Sequence, residues 1–466
     1  MKKYELLPFN FTRLSGKEVL VNELGDMLIT PIGTAQKIVA HAIDDEELYK
    51  SLISNFFISE ELIPSLLDVY ASRLRMKKSF LDDKAALHIF VLTLRCNQNC
   101  VYCQASSREE GSLRCSMSIE DMNAAVKLMF RSPSQHLTME FQGGEPSLEP
   151  KLIKYGIELA EEINKQECRK MTYVLCTNCR SLSEELLALC KQYNVYISTS
   201  LDGPSYIHNK NRGRDDSYEK TIAGIRKARE VLGDDAVSAL MTTSELALDY
   251  PKEIVDEYVK DGFHDIFLRA LNPYGLATEN EDWEDYNNRF VDFYKAALEY
   301  IIELNKQGNF FREAYATIIL RKILTPYSTG FVDLQSPAGT VNSVIIYNYD
   351  GYVYASDESR MLAENGDYTF RLGKITDKYE DIVYCEKVRK MGKIWANETL
   401  AGCSDCPIKA YCGADPVRNH STQGDMYGYR PSSFVCKKNK AIIEHLISLI
   451  IERGDEVLPI FKSWIR

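Results

Sequence analysis

The sequence predicts an α/β protein built round an incomplete (β/α)6 barrel of the TIM type, with a small N-terminal unit before it and a cysteine-rich unit after it. Three observations predict this. Strand-like and helix-like runs alternate from His88 to Ala270, the first 75 residues carry a different pattern, and the C-terminal part gathers Cys403, Cys406, Cys412 and Cys436. With 466 residues, 45% of them apolar, the chain can bury the cores of two or three domains.

The elements follow in order. "KEVLVNE" and "DMLIT" are short β-like runs separated by Leu24-Gly25, a hairpin signal, and helical patterns follow at Thr34–Ala42 and Asp45–Ser54. Residues 1–75 therefore read as a hairpin-plus-helices unit, and the charged stretch "RLRMKKSFLDDK" (Arg73–Lys84) reads as a linker. The core, residues 82–320, offers strands at His88–Leu94, Leu137–Phe141, Thr172–Cys176, Val195–Ser200, Val237–Met241 and Asp265–Ala270. Between them lie helices such as Ile119–Phe130, with Ser118 as N-cap, and Pro251–Lys260, with Gly262 just past its end. Repeated β-α units imply a parallel sheet, and six of them an incomplete barrel. Residues 330–466 form the last unit.

Composition excludes some functions. The formal charge of −11 argues against broad binding to a phosphate backbone, so nucleic acid is not an expected partner. The start "MKKYELLPFNF" has no continuous apolar h-region, and no stretch approaches the ~20 apolar residues that span a bilayer, so a cytoplasmic, membrane-free protein is expected. Thirteen cysteines, an odd number and clustered, suit metal or cluster ligation better than a disulfide framework.

The loop "LRCNQNCVYC" follows directly on the first core strand, at the mouth where βα loops build active sites. Its spacing C-x3-C-x2-C supplies three thiolates, Cys96, Cys100 and Cys103, whereas a closed iron–sulfur cube or tetrahedral zinc takes four protein ligands. One iron would be left open for a substrate or cofactor. The competing reading is a zinc knuckle completed from elsewhere. "FQGGEP" (Phe141–Pro146) closes the second strand; Gly143 and Gly144 let the backbone approach a ligand, and Gln142 and Glu145 bring polar groups to the same mouth.

C-x3-C-x2-C after strand one and GGEP after strand two resemble the radical S-adenosylmethionine (SAM) superfamily. The resemblance implies that SAM's amino and carboxylate groups chelate the open iron, and that the glycine-rich segment binds the methionyl amine. "STSLDGPSYIHNKNRG" (Ser198–Gly213) is similar to the fourth-strand segment of peptide-modifying members, which implies SAM contacts for Ser200 and Arg212.

"CSDCPIKAYC" with Cys436 supplies four thiolates, Cys403, Cys406, Cys412 and Cys436, a complete set for a closed site, zinc or 4Fe-4S. It resembles the SPASM domain, in which these positions ligate an auxiliary 4Fe-4S cluster. That family's other auxiliary cluster would need cysteines where this chain has Ser336, Ser356 and Pro416, and no cysteine lies between Cys190 and Cys385. Two clusters are therefore expected. Asp357 matches the acidic residue that serves as a base in sulfatase-maturing relatives, against a plain reading as a surface aspartate in a turn. Cys115, Cys168, Cys176, Cys179, Cys190 and Cys385 read as small buried hydrophobes.

Nearly the whole chain resembles the His-Xaa-Ser system radical SAM maturase of the B type, on "LPFNFTRLSGKEVLVNELGDMLI", "SDESRMLAENGDYTFRLGKI" and the missing auxiliary ligands. The resemblance implies a partial (β/α)6 radical SAM barrel with a winged-helix-like N-terminal domain and a SPASM-type C-terminal one. It implies a ribosomal precursor peptide as substrate, a second radical SAM maturase as partner, and an electron donor such as flavodoxin or ferredoxin. The reaction implied is oxidoreductase-type cross-linking or another side-chain modification. A sulfatase-maturing oxidase and a non-enzymatic zinc-binding regulatory protein are the alternatives.

Overall fold

The computed structural model describes residues 3–466 apart from 62, 83, 280, 281 and 331. The N-terminal unit is a three-stranded antiparallel sheet, β1 (Phe9–Leu14), β2 (Lys17–Asn22) and β3 (Met27–Thr30), in that order. The expected hairpin is β2 and β3; β1 is an addition. Its signal is Ser15-Gly16, both at positive φ between the paired Leu14 and Lys17, which is the two-residue turn that matches strand twist. Helices α1 (Thr34–Val39) and α2 (Glu46–Ser54) follow, the second capped by Asp45, whose Oδ1 accepts from the amides of Glu47 (2.9 Å) and Leu48 (3.1 Å). The two faces of β2 go separate ways, as a period of two requires: Leu20 joins Tyr4, Ile38, Leu52 and Phe57 in a local core, while Val19 and Val21 enter the main core.

The stretch read as a linker begins inside helix α3 (Pro64–Lys77), which has proline in its first turn, and goes on through a short 3-10 turn at Ser79–Leu81. Its charges are used. Arg73 pairs with Asp26 at 2.8 Å, and Lys77 Nζ donates to the carbonyls of Lys322 (3.0 Å) and Thr325 (2.7 Å), with burial pushing its ammonium down to about 8. No α3 residue is fully buried, so no apolar periodicity marked it.

Five of the six expected core strands stand where the periodicity put them. β4 (Leu87–Thr93), β5 (His136–Gly143), β6 (Lys170–Thr177), β7 (Tyr196–Ser200) and β8 (Val237–Leu240) run parallel. Between them lie α4 (Ile119–Met129), α5 (Pro150–Glu167), α6 (Glu184–Gln192), α7 (Ser205–Arg212) and α8 (Ser217–Leu232), and α9 (Pro251–Lys260) follows β8.

The sixth strand is a correction. Only β9 (Asp265–Ile266) forms, and it pairs with β10 (Arg312–Glu313); one bridge, Thr243 to Ala270, marks its approach to the chain after β8. The Leu268 amide is taken instead by buried Glu313, whose Oε1 accepts it at 3.1 Å. After α10 (Trp283–Lys306) and α11 (Ala314–Leu324), β11 (Val344–Tyr347) lies parallel to β4 on its other side, and β12 (Tyr352–Tyr354) and β13 (Arg371–Lys374) extend the sheet antiparallel. The result is a mixed eight-stranded sheet, β8-β7-β6-β5-β4-β11-β12-β13. Buried His88 on β4 reaches Tyr347 Oη at 3.0 Å and ties the first strand to this late arrival.

The C-terminal part adds α12 (Asp357–Glu364), α13 (Pro416–Gln423) and α14 (Phe434–Trp464), the last interrupted at Arg453. Ile442, Ile443, Leu446, Ile447 and Ile450 give α14 a helical apolar stripe that packs into the main core. Among the described residues no helix is long and apolar enough to cross a membrane.

Candidate functional site

The three-cysteine loop begins at the end of the short segment Arg95–Cys96, just beyond β4. Cys96 is buried, and Cys100 and Cys103 are half-buried. Burial pushes the Cys96 thiol up to about 12, and Glu145, Cys100 and Cys103 push the same way. Burial likewise raises Cys100 to about 11, with the Arg212 charge opposing it. Two thiols whose charged forms are opposed by burial and by their neighbours, with Cys103 beside them on the same loop, are a donor set suited to a cationic group. Ser107 faces Cys103, its amide 3.4 Å and its hydroxyl 3.2 Å from Sγ.

The GGEP turn is built against this loop. The amide of Gly144 donates to Thr93 O (2.7 Å) and that of Glu145 to Arg95 O (2.8 Å). A Cβ on Gly143 would lie 2.1 Å from Thr93 O, and one on Gly144 2.4 Å from Leu94 O. The close approach these glycines permit is thus to the chain leading into Cys96. Gly144→Ala should cost about 2–3 kcal/mol, the upper part of the overpacking range, read as a lowered urea midpoint; an unchanged midpoint would contradict the packing. Glu145 is buried, not presented at the mouth. Its Oε1 accepts from Thr177 Oγ1 (2.6 Å) and the Ser147 amide (3.0 Å), and its Oε2 from the Asn178 amide (2.8 Å), so it fastens the end of β5 to that of β6. Gln142 donates to Glu140 Oε1 at 2.5 Å.

Arg212, at the end of α7, is buried and forms a two-pronged pair with buried Asp202: Nε to Oδ2 at 2.9 Å and Nη2 to Oδ1 at 2.7 Å. Its Nη1 lies 3.8 Å from Cys100 Sγ, and Tyr102 Oη donates to Asp202 Oδ2 at 2.6 Å. The amides of Asn99 and Val101 donate to the carbonyls of Arg212 (3.2 Å) and Asn211 (2.9 Å), so the end of α7 holds the cysteine loop directly. Ser200 is half-buried at the end of β7, two residues before Asp202. Asp202 and Tyr102 were not singled out from the sequence, although both lie within the segments that were: "SLDG" and the cysteine loop.

Inside the barrel lies a cavity of about 340 Å³, walled by Leu87, Ile89, Leu240, Phe267 and Val344, with Glu140, Gln142, Arg269, Asp357 and Glu358 among its polar residues. Burial raises the Glu140 carboxyl, and the Asp357 charge adds to the rise. Asp357 does face this cavity, but its Oδ1 is engaged by buried Arg360 at 2.9 Å. Glu140 carried no sequence signal; its alternation on β5 puts it on the inner face.

Cys403, Cys406, Cys412 and Cys436 also come together. Burial raises the thiols of Cys403, Cys406 and Cys436, and in each case charge on its neighbours in the set adds to the rise. Cys403, Cys412 and Cys436 line a cavity of about 80 Å³. Arg430 Nε donates to Cys403 Sγ at 3.0 Å, and the Cys436 amide is capped by Ser433 Oγ at 3.2 Å. Among the described residues no three His, Cys, Asp or Glu side chains converge to hold one metal ion.

The three positions that lack cysteine have other work. Ser336 Oγ accepts from the Asn397 amide (2.8 Å) and donates to Glu398 (3.0 Å). Ser356 caps α12 in a reciprocal pair with Ser359, and Pro416 opens α13. Of the other cysteines, Cys179 and Cys190 are buried as expected, whereas Cys168 is exposed at the C-cap of α5 and Cys115, Cys176 and Cys385 are half-buried.

Residues 90–258 match the Radical SAM superfamily. The chain is 30% identical over 216 residues to a cysteine-type anaerobic sulfatase-maturating enzyme of Clostridium novyi, covering 43% of this chain and 56% of that protein. It is 25% identical over 334 residues to the enzyme of the same description from Clostridium perfringens, covering 67% and 86%. Native anSMEcpe with bound AdoMet superposes with a TM-score of 0.63 at 19% identity, over 80% of this chain and 100% of that one. Streptococcus suis SuiB bound to precursor peptide SuiA gives 0.53 at 13% identity, over 93% and 100%. The superfamily's cofactors are SAM and a 4Fe-4S cluster, and the cysteine-rich C-terminal part fits an auxiliary cluster. With five parallel strands carrying a three-thiol loop at their mouth, this chain contains a radical SAM domain, homologous to that of the anaerobic sulfatase-maturating enzymes and alike in fold to SuiB.

Proposed function

We propose that the protein is a radical SAM enzyme that modifies a ribosomally made precursor peptide of the His-Xaa-Ser repeat type. In this reading Cys96, Cys100 and Cys103 hold a 4Fe-4S cluster with one open iron, Gln142, Gly143, Gly144 and Ser200 lie on the SAM side, and Cys403, Cys406, Cys412 and Cys436 hold a closed cluster. When bound and reduced, the first cluster and SAM supply a 5′-deoxyadenosyl radical that removes hydrogen from a substrate carbon. The observation that carries the reading is the three-thiol loop braced from both sides, by the GGEP turn and by the Asp202–Arg212 pair.

The chain's own residues have distinct tasks. Glu145 and Arg212 act from behind, the one by joining β5 to β6 and the other by fixing Cys100. Leu87, Ile89, Leu240 and Val344 keep water from the reacting carbon. Of the carboxylates lining the cavity, Glu140 and Asp357 are the ones proposed to take a proton, and Glu140, which among the described residues makes no hydrogen-bonded arginine pair like that of Asp357 with Arg360, is the stronger candidate. Glu140→Gln should lower the yield of modified peptide by about 10²-fold, the scale of one general base, and Asp357→Asn by less; equal, small effects would remove both from the chemistry. A sulfatase-maturing oxidase is disfavoured because Ser336, Ser356 and Pro416 stand at ligand positions and are committed to other contacts.

The N-terminal sheet is the proposed leader site, with the peptide added as a strand along β3, where Ile29 is exposed. Ile29→Asp should weaken precursor binding about tenfold, or 1.4 kcal/mol, by fluorescence anisotropy; unchanged affinity would leave this unit a packing role. The function itself is tested by co-expression with a precursor peptide carrying His-Xaa-Ser repeats and mass spectrometry of that peptide. Loss of the mass of two hydrogens per repeat is expected for cross-linking or another two-electron oxidation. Unchanged peptides would contradict the reading.

A further inference from the structure

Arg430 lies outside every motif, yet its guanidinium is fully placed. Nε donates to Cys403 Sγ at 3.0 Å, Nη1 to Asn419 Oδ1 at 2.9 Å and Nη2 to the Tyr427 carbonyl at 3.3 Å. Asn419 is itself buried and held by donation to the carbonyls of Met426 (3.1 Å) and Tyr427 (3.3 Å). Arg430 therefore reaches the sulfur as a fixed donor. Hydrogen bonds to ligand sulfurs and nearby positive charge raise the reduction potential of an iron–sulfur centre, because reduction adds negative charge that they stabilise.

The placement matters because of what adjoins it. The small cavity bounded by Cys403, Cys412 and Cys436 shares Phe267, Arg269 and Asp333 with the barrel cavity. With Ser356 and Pro416 occupying two of the positions where a further cluster would be ligated, the Cys403 set is the cysteine site that borders the reaction space on this side.

We propose that Arg430 is a positioning residue that sets the reduction potential of the auxiliary centre through its hydrogen bond to Cys403. This rests on the reading of the Cys403 set as an iron–sulfur site. The bond acts on one sulfur of one cluster. The cluster at Cys96, Cys100 and Cys103 has a different cationic neighbour, Arg212, and is not affected.

The test is an anaerobic redox titration of the reconstituted full-length protein, followed by electron paramagnetic resonance, with iron and zinc measured on the same samples. The auxiliary signal is identified in a C96A/C100A/C103A variant. Arg430→Met should shift the auxiliary midpoint to lower potential with the other cluster's midpoint unchanged. Arg430→Lys, which keeps charge but not the fork, should fall between, and Asn419→Ala should shift it in the same direction by freeing the guanidinium. Should Arg430→Met fail to load iron, the lysine and Asn419 variants decide. Unchanged midpoints in iron-loaded variants would overturn the role of Arg430 alone, and zinc in the wild-type site would overturn it together with the cluster reading.

Discussion

Replacing Cys96, Cys100 and Cys103 together with alanine abolishes 5′-deoxyadenosine formation from SAM under dithionite, to the level of a protein-free control, while the Cys403 set keeps its iron. The three thiols are close neighbours on one loop and no other cysteine belongs to their set, so nothing nearby can take their place. Global stability should change little. The loop is held by backbone bonds to Arg212, Asn211 and Leu276, none of which involves a cysteine side chain, and the contacts to sulfur that are lost, Ser107 to Cys103 and Arg212 Nη1 to Cys100, are long ones at half-buried thiols. Chromatography of the quenched reaction measures the first outcome and circular dichroism the second. Persistent deoxyadenosine production in the triple variant would remove this loop from the chemistry.

The largest loss of stability is expected from Asp202→Ala. Asp202 is fully buried and accepts from Arg212 twice, from Tyr102, from Asn211 and from the Thr242 amide. Without it the Arg212 charge is left buried with no carboxylate, which costs about 3–5 kcal/mol for a broken buried pair. The same substitution frees the helix end to which Asn99 and Val101 are bonded, so the cysteine loop should loosen and the first cluster reconstitute poorly. Urea unfolding of the cluster-free protein and iron uptake at the Cys96 loop report the two effects. A loss below about 1 kcal/mol would mean that water or a rearranged neighbour satisfies Arg212, and that the pair does not brace the loop.

Much of this was legible from particular stretches. Alternating apolar runs located β4 to β8 because buried parallel strands are strongly patterned, and the C-x3-C-x2-C and GGEP segments located the mouth because thiolates and glycines there admit few substitutes. The sixth strand misled because its run is apolar while its Leu268 amide is claimed by Glu313, a side-chain competitor from a distant segment that no local pattern reveals. β11 could not be assigned to the sheet from sequence, since its partner β4 lies more than two hundred residues earlier. Helix α3 was hidden by the absence of a buried face. In the site, residues were legible where a motif fixes them, and the supporting ones were not: Asp202 and Arg430 act through geometry contributed by other elements. Glu145 shows the converse, a motif residue whose type was noticed but whose buried position, fastening two strand ends, needed the fold.

The central claim is that this chain builds one open and one closed iron–sulfur centre and no third. Seven cysteines are proposed to supply it, Cys96, Cys100 and Cys103 at the barrel mouth and Cys403, Cys406, Cys412 and Cys436 in the C-terminal part, while Ser336, Ser356 and Pro416 are committed to a hydrogen-bond network, a helix cap and a helix start. The most direct measurement is iron, sulfide and zinc per chain after anaerobic reconstitution, in the wild type and in the C96A/C100A/C103A and C403A/C406A/C412A variants. The account predicts about eight irons in the wild type and about four in each variant, from the four-iron composition of each cube. About twelve would mean a third cluster on other ligands and contradict the account, and about four with stoichiometric zinc would make the C-terminal site a zinc site and contradict it too.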